Sequence, residues 1–244
     1  MRVAALADVH GNAPALAAVL REVERESLDL VVFGGDLTWG SLPDETIALV
    51  RALDIPTRFV RGNAERALLE LRDGEVAEPT AREHWMLAQH GEEELAWLEA
   101  FEPTVTVDVD GLGPTCFCHG SPRSDEECVT ERTPVERVRE FMAERGERVV
   151  VTAHVHLQYE RTAGENRMVG PGSVGLPYGA GGAAFWALLG PHVELRGTDY
   201  NVEDAVARMR ATDDPSVEQI AGMMLTPPSR DEVIEFAETN VFAG

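Results

Sequence analysis

The chain has 244 residues carrying 43 acidic and 21 basic side chains, a formal net charge of −22, so its average field repels a polyanion and nucleic acid is disfavoured as a partner. Three cysteines, Cys116, Cys118 and Cys128, cannot all pair within one chain, and a domain of this size needs no disulfide staple, which points to a reducing cytoplasm. Asp8 and His10 interrupt the opening apolar run before it could act as a signal-peptide core, and no stretch of about 18 to 20 uncharged apolar residues exists to span a membrane.

Residues 2–7 predict a buried strand, followed from Ala13 by "APALAAVLREVERE", whose spacing is helical and whose Pro14 suits a first turn. The pattern returns: "LDLVVFGGD" reads as a strand ending at Asp36, "PDETIALVRAL" as a helix, "TRFVRGN" as a strand ending at Asn63 and "AERALLELR" as a helix. Such alternation predicts right-handed crossovers and a largely parallel sheet. Residues 79–101 read as two helices split near Gly91, an insertion over one edge. After them "TVTVDVDG", "PTCFCHG", "ERVVVTAHVH", "LQYERT", "NRMVG", "GAAFWALLG" and "HVELRGTDY" are short strand-like runs between turns, expected to build a second, more antiparallel sheet. Helical segments near Val202–Arg210 and Arg230–Glu238 form a C-terminal extension, about 201–244, of one domain covering 1–244.

Polar residues gather at the predicted strand ends. Side chains i and i+2 of a strand share a face, so Asp8 and His10 address one point, as do His154 and His156 in "TAHVHLQ". Asp36, Asn63 and His119 end other strands, and open α/β sheets place their sites beyond the carboxyl ends of strands. Imidazole combined with carboxylate and amide oxygen suits borderline divalent metals, and Asp8, His10, Asp36, Asn63, His119, His154 and His156 are too many ligands for one four-coordinate ion. Two ions about 3.5–4 Å apart would use them all, and such a pair clamps both oxygens of an in-line displacement at phosphorus. Metal-assisted hydrolysis of a small phosphoester substrate is the expected chemistry.

In this order and spacing "DVH", "GGD", "GN", "CHG" and "AHVH" resemble the calcineurin-like metallophosphoesterase superfamily, in particular its small bacterial and archaeal phosphodiesterases and phosphatases. The resemblance runs from residue 3 to about residue 200 and implies an α/β fold, a four-layer α/β/β/α sandwich of two mixed β-sheets. It also implies that Asp8, His10 and His156 hold one divalent ion, that Asn63, His119 and His154 hold another, and that Asp36 bridges them. Manganese is the leading candidate metal, with iron, zinc, nickel and cobalt as alternatives, and a hydroxide shared by the ions would attack phosphorus. Asp36 and Asn63 are thereby the expected catalytic residues.

The departures from that pattern matter. In the superfamily the asparagine is usually followed by a histidine that assists the leaving group, and here "RGNAER" has Ala64, which cannot donate a proton. His84 and His90 on the inserted helices are candidate substitutes, and Arg123 in "HGSPR" and Arg66, with Arg61 behind them, are candidate phosphate contacts. "GPGSVGLPYG" reads as a rigid cleft wall offering Ser173 and Tyr178, while Cys116 and Cys118 alternate away from the face of His119. The alternative to an enzyme is a non-catalytic scaffold on the same fold, as in one eukaryotic branch. A homo-oligomer is common among soluble enzymes, though no interface motif stands out.

Overall fold

The computed structural model describes residues 1–242, and its first strand sets the pattern for the rest. In β1 (Val3–Leu6), Val3 and Ala5 pack to one side and Ala4 and Leu6 to the other, all buried, as in a strand covered on both faces. The crossover helices α1 (Ala13–Val23) and α2 (Pro43–Arg51) lead to β2 (Leu30–Phe33) and β3 (Thr57–Phe59), and the three strands pair in parallel. Asn12 caps α1 by accepting from the Ala15 N–H at 3.2 Å, with Pro14 in the first turn where no amide is needed.

After α3 (Asn63–Arg72), the 79–101 segment folds as α4 (Ala81–Ala88) and α5 (Glu92–Glu99). Thr80 and Glu83 form a reciprocal capping box that starts α4, and Gly91 separates the two helices. The chain continues through β4 (Thr104–Val109), β5 (Gly113–Cys118), α6 (Val135–Met142), β6 (Val149–Thr152), β7 (Gln158–Ala163) and β8 (Asn166–Pro171). It closes with β9 (Ala183–Leu189), β10 (Val193–Asp199), α7 (Val202–Met209), α8 (Val217–Leu225) and α9 (Arg230–Thr239).

The strands form two mixed sheets, ordered β10-β9-β1-β2-β3 and β4-β5-β6-β8-β7. Val3, Ala5, Val32 and Leu189 of the first meet Val107, Phe117, Val151 and Val169 of the second in one inter-sheet core. On the outer side of the first sheet Leu16, Leu68, Met86 and Leu98 bring in α1, α3, α4 and α5, and on that of the second Val138, Phe141 and Ile234 bring in α6 and α9. The result is the expected α/β/β/α order of layers.

Three local expectations change. β9 and β10 join the first sheet, because β9 adds antiparallel to the free edge of β1. The second sheet has a parallel centre, β5-β6-β8, so the β5–β6 connection must cross over, and α6 supplies that crossover where no helix was predicted. α8 was also not predicted; its apolar residues Ile220, Ala221 and Met224 pack beside α7 rather than on a sheet. Of the C-terminal extension, residues 243–244 lie outside the described part. Among the described residues no helix is long and apolar enough to cross a membrane.

Candidate metal centre

The strands stop short of the residues that were expected to end them. β2 finishes at Phe33 and β6 at Thr152, and the polar side chains ride on the loops beyond. Asp8, His10, Asp36, His154 and His156 have φ of 51°, 46°, 53°, 66° and 57°, and they are the only non-glycine residues with positive φ among those described. Each such residue costs roughly 1–2 kcal/mol, strain of a kind concentrated at functional sites. Strand alternation is therefore not what aims Asp8 with His10 or His154 with His156; left-handed kinks turn each pair inward.

Main-chain bonds hold the kinked loops against one another. The Asp8 N–H donates to Gly35 O at 3.0 Å, His10 N–H to Asp36 O at 2.9 Å, Ala153 N–H to His119 O at 2.7 Å and Gly175 N–H to Asp8 O at 3.0 Å. Gly35 is required at φ +97°, and a Cβ there would sit 2.6 Å from His119 Nδ1. Glu65 is the residue that the sequence reading missed. Buried beneath the site, its carboxylate accepts from the N–H groups of Asp36 at 2.9 Å, Leu37 at 2.7 Å and Gly62 at 2.8 Å. The signal was available, since Glu65 is the third residue after Gly62, the place of a capping-box acid at the start of α3.

All seven candidate ligands come together. Oxygen or nitrogen atoms of Asp8, His10 and His156 lie within 4.8 Å of one another, as do those of Asp8, Asp36 and His119. His119 Nε2 is 2.9 Å from Asn63 Oδ1 and 3.3 Å from Asp36 Oδ1, and the His154 ring stands edge-on to His119 with centroids 5.1 Å apart. His154 also donates its backbone N–H to Asp8 Oδ2 at 3.2 Å.

Three imidazoles are oriented for coordination. Nδ1–H of His10 donates to Trp39 O at 3.2 Å, that of His119 to Gly34 O at 2.8 Å and that of His156 to Leu176 O at 2.6 Å. A carbonyl only accepts, so each bond fixes the proton on Nδ1 and leaves Nε2 to face the site.

Two features fit a cation at the centre. Asp8 Oδ1 is fully buried with no hydrogen-bond partner, and His10 Nε2 faces His156 Nε2 at 3.1 Å, where two lone pairs repel unless a proton or metal lies between. Burial pushes the pKa of His10 down and that of His156 further down, favouring the neutral form that ligates metal. Burial would lower His119 too, but the Asp36 and Asp8 carboxylates outweigh it and hold His119 up at about 10. Burial would raise Asp36, yet His119 and His10 draw it well below the carboxylate range; Asp8, with burial and Asp36 against it, is raised. The metal-free centre thus keeps positive charge on His119 where a cation would otherwise sit.

Beside His119 opens a cavity of about 230 Å³ walled by Arg61, Arg66, Arg123, Pro103, Ser121 and Asp125. The two arginines expected to meet substrate are engaged elsewhere. Arg66 bonds Asp125 at 2.8 Å, Glu70 at 2.9 Å and Glu126, one carboxylate per guanidinium nitrogen, because α3 lies along the acidic 125–126 turn. Arg123 gives Nε and Nη2 to the buried Glu127 at 2.8 and 2.7 Å. His90 is buried between Met86 O and Thr38 Oγ1, and His84 is exposed. Ser173 is structural, donating to Asp8 O at 2.7 Å, while the Tyr178 ring stacks on His156 at 4.6 Å. Cys116 and Cys118 pack in the outer core with α6, away from the centre.

The family model described as the calcineurin-like phosphoesterase superfamily domain matches residues 1–189. A metallophosphoesterase from Sphaerobacter thermophilus superposes with a TM-score of 0.76 at 24% identity, covering 93% of this chain and 100% of its own. A hypothetical protein from Pyrococcus horikoshii OT3 superposes at 0.79 with 19% identity, covering 91% and 97%. A novel archaeal phosphodiesterase superposes at 0.51 with 16% identity, covering 81% and 99%. At such identities these likenesses speak to the fold. No curated protein matches the sequence.

Proposed function

The chain belongs to the calcineurin-like phosphoesterase superfamily, and from that premise we propose that it is a divalent-metal phosphoesterase acting on a phosphodiester or an activated phosphomonoester. Asp8, His10 and His156 would hold one ion, Asn63, His119 and His154 the other, with Asp36 between them. Manganese leads among the candidate metals. Bound ions supply an activated water for attack on phosphorus and neutralise charge on the phosphoryl oxygens. The chain's own part is to hold the loops of Asp8 and Asp36 through main-chain bonds and to fix three imidazole tautomers through carbonyls.

The observation that carries this reading is Asp8 Oδ1, buried and unbonded between His156 at 3.6 Å and His119 at 4.0 Å. A scaffold has no use for an unsatisfied carboxylate among four imidazoles, since an unpaired buried polar group is costly. The test is hydrolysis of bis-p-nitrophenyl phosphate and p-nitrophenyl phosphate by stripped protein reconstituted with manganese, nickel, zinc or magnesium. Turnover that requires metal and is lost in Asp36→Asn supports the enzyme; two bound ions with no turnover on any ester would favour the scaffold.

A further inference from the structure

We propose that the cavity beside His119 receives a negatively charged leaving group, so that the preferred scissile bond joins two phosphoryl groups, a phosphoanhydride rather than an alkyl ester. This rests on the metal-dependent hydrolase reading above and extends its substrates from esters to anhydrides.

The first observation is a missing proton. Ala64, at the head of α3, is only 6% exposed and offers the site nothing but its backbone N–H, which is donated to Asp36 Oδ1 at 3.0 Å. His90, the buried histidine of the inserted helices, is bonded at both ring nitrogens. In the cavity Ser121 Oγ–H is already donated to Glu127 at 2.6 Å, and Asp125 is ion-paired with Arg66. An alcohol leaving without a proton departs as an alkoxide, whose conjugate acid resembles water with a pKa of about 15.7; a phosphate leaves as a stable anion, its second pKa being about 6.

The second observation is a free cation. Arg66 and Arg123 are neutralised by carboxylates, whereas Arg61, which shares the cavity wall with His119, has no ion pair or side-chain hydrogen bond among the described residues. Its backbone N–H is fixed to Glu102 O at 2.8 Å, two residues before Asn63. Glu99, which feels the Arg61 charge, is itself bonded to Arg72 at 2.9 Å. In a chain with a net charge of −22 and twice as many acids as bases, a guanidinium without a partner beside the metal centre is matched to an incoming anion.

The step balances with water as co-reactant. A water oxygen bonds to the attacked phosphorus, the bond from that phosphorus to the bridging oxygen breaks, and the electron pair stays on the departing phosphate beside Arg61. The water's surplus proton passes to solvent.

The test compares ADP with bis-p-nitrophenyl phosphate on the metal-loaded protein, in wild type, Arg61→Gln and Arg61→Lys, and measures inorganic phosphate binding to the metal-free proteins by calorimetry. Arg61→Gln is expected to lower kcat/KM for ADP at least tenfold more than for the aryl diester, with Arg61→Lys between, and to weaken phosphate binding at least fivefold. The Arg61 side chain makes no ion pair or hydrogen bond among the described residues, and its backbone bond to Glu102 survives the substitution, so the unfolding temperatures should match. Cleavage of the diester but not of ADP, equal losses on both substrates, or unchanged phosphate binding would each overturn the inference while leaving the phosphoesterase standing. Absence of turnover on every substrate with every metal would overturn both.

Discussion

Ala64 holds Asp36 by main chain alone: its N–H reaches Asp36 Oδ1 at 3.0 Å, and its methyl group has no proton to give. Ala64→His keeps the backbone N–H to Asp36 and should supply an acid at the head of α3. A positioned general acid contributes typically 10² to 10⁴ in rate, and an unoptimised one is expected to recover about 10- to 100-fold on an alkyl ester such as β-glycerol phosphate. The effect on p-nitrophenyl phosphate should be no more than about threefold, because that group departs readily unprotonated. Steady-state kinetics on the two esters checks this, and equal changes on both would remove the assigned role.

Glu65 is a positioning residue rather than a ligand. Its carboxylate gathers three buried N–H groups, from Asp36, Leu37 and Gly62, and each donor left unpaired costs roughly 1–3 kcal/mol. Glu65→Ala is expected to lose about 3 kcal/mol or more, or about 6–12 °C in Tm for a chain of this size. The Asp36 loop should relax with it, and metal stoichiometry by elemental analysis should fall even where the fold survives. Full metal occupancy in a folded Glu65→Ala protein would show that the Asp36 loop holds itself.

Metal binding should strengthen as pH rises. In the metal-free centre burial raises Asp8, and the Asp36 carboxylate holds the His119 proton up to about 10, so an entering cation must expel that proton. Each proton displaced makes affinity rise about tenfold per pH unit while its group stays protonated in the metal-free protein. Chelator-competition titrations between pH 6 and 8, with proton release read by calorimetry in two buffers, measure it; pH-independent affinity without proton release would place the metal elsewhere.

Asp8→Asn separates stability from function at the same centre. An amide removes a carboxylate whose charged form burial and the Asp36 charge both disfavour, so the metal-free Tm is expected to stay level or rise by about 1–3 °C. The stabilisation that saturating metal gives the wild type, about 2.7 kcal/mol at a hundred times Kd, should disappear. Thermal denaturation with and without manganese distinguishes the cases.

The amino-acid sequence by itself determined most of the elements and the cast. Apolar runs buried on both faces, helices with amphipathic spacing and turns at glycine and proline are local properties, so strands such as β1 and β2 and the paired helices of 79–101 were legible one by one. So were the seven candidate ligands, because histidine and aspartate after apolar runs are conspicuous. The tertiary structure decided which sheet β9 joins, since that depends on the free edge of β1, far away in sequence. It decided the aim of the candidate ligands, which comes from left-handed kinks at Asp8, His10, Asp36, His154 and His156 that neighbouring loops stabilise. It also decided the fate of the arginines: side by side in the chain's motifs Arg61, Arg66 and Arg123 look alike, and only the carboxylates that folding brings to Arg66 and Arg123 leave Arg61 without a partner.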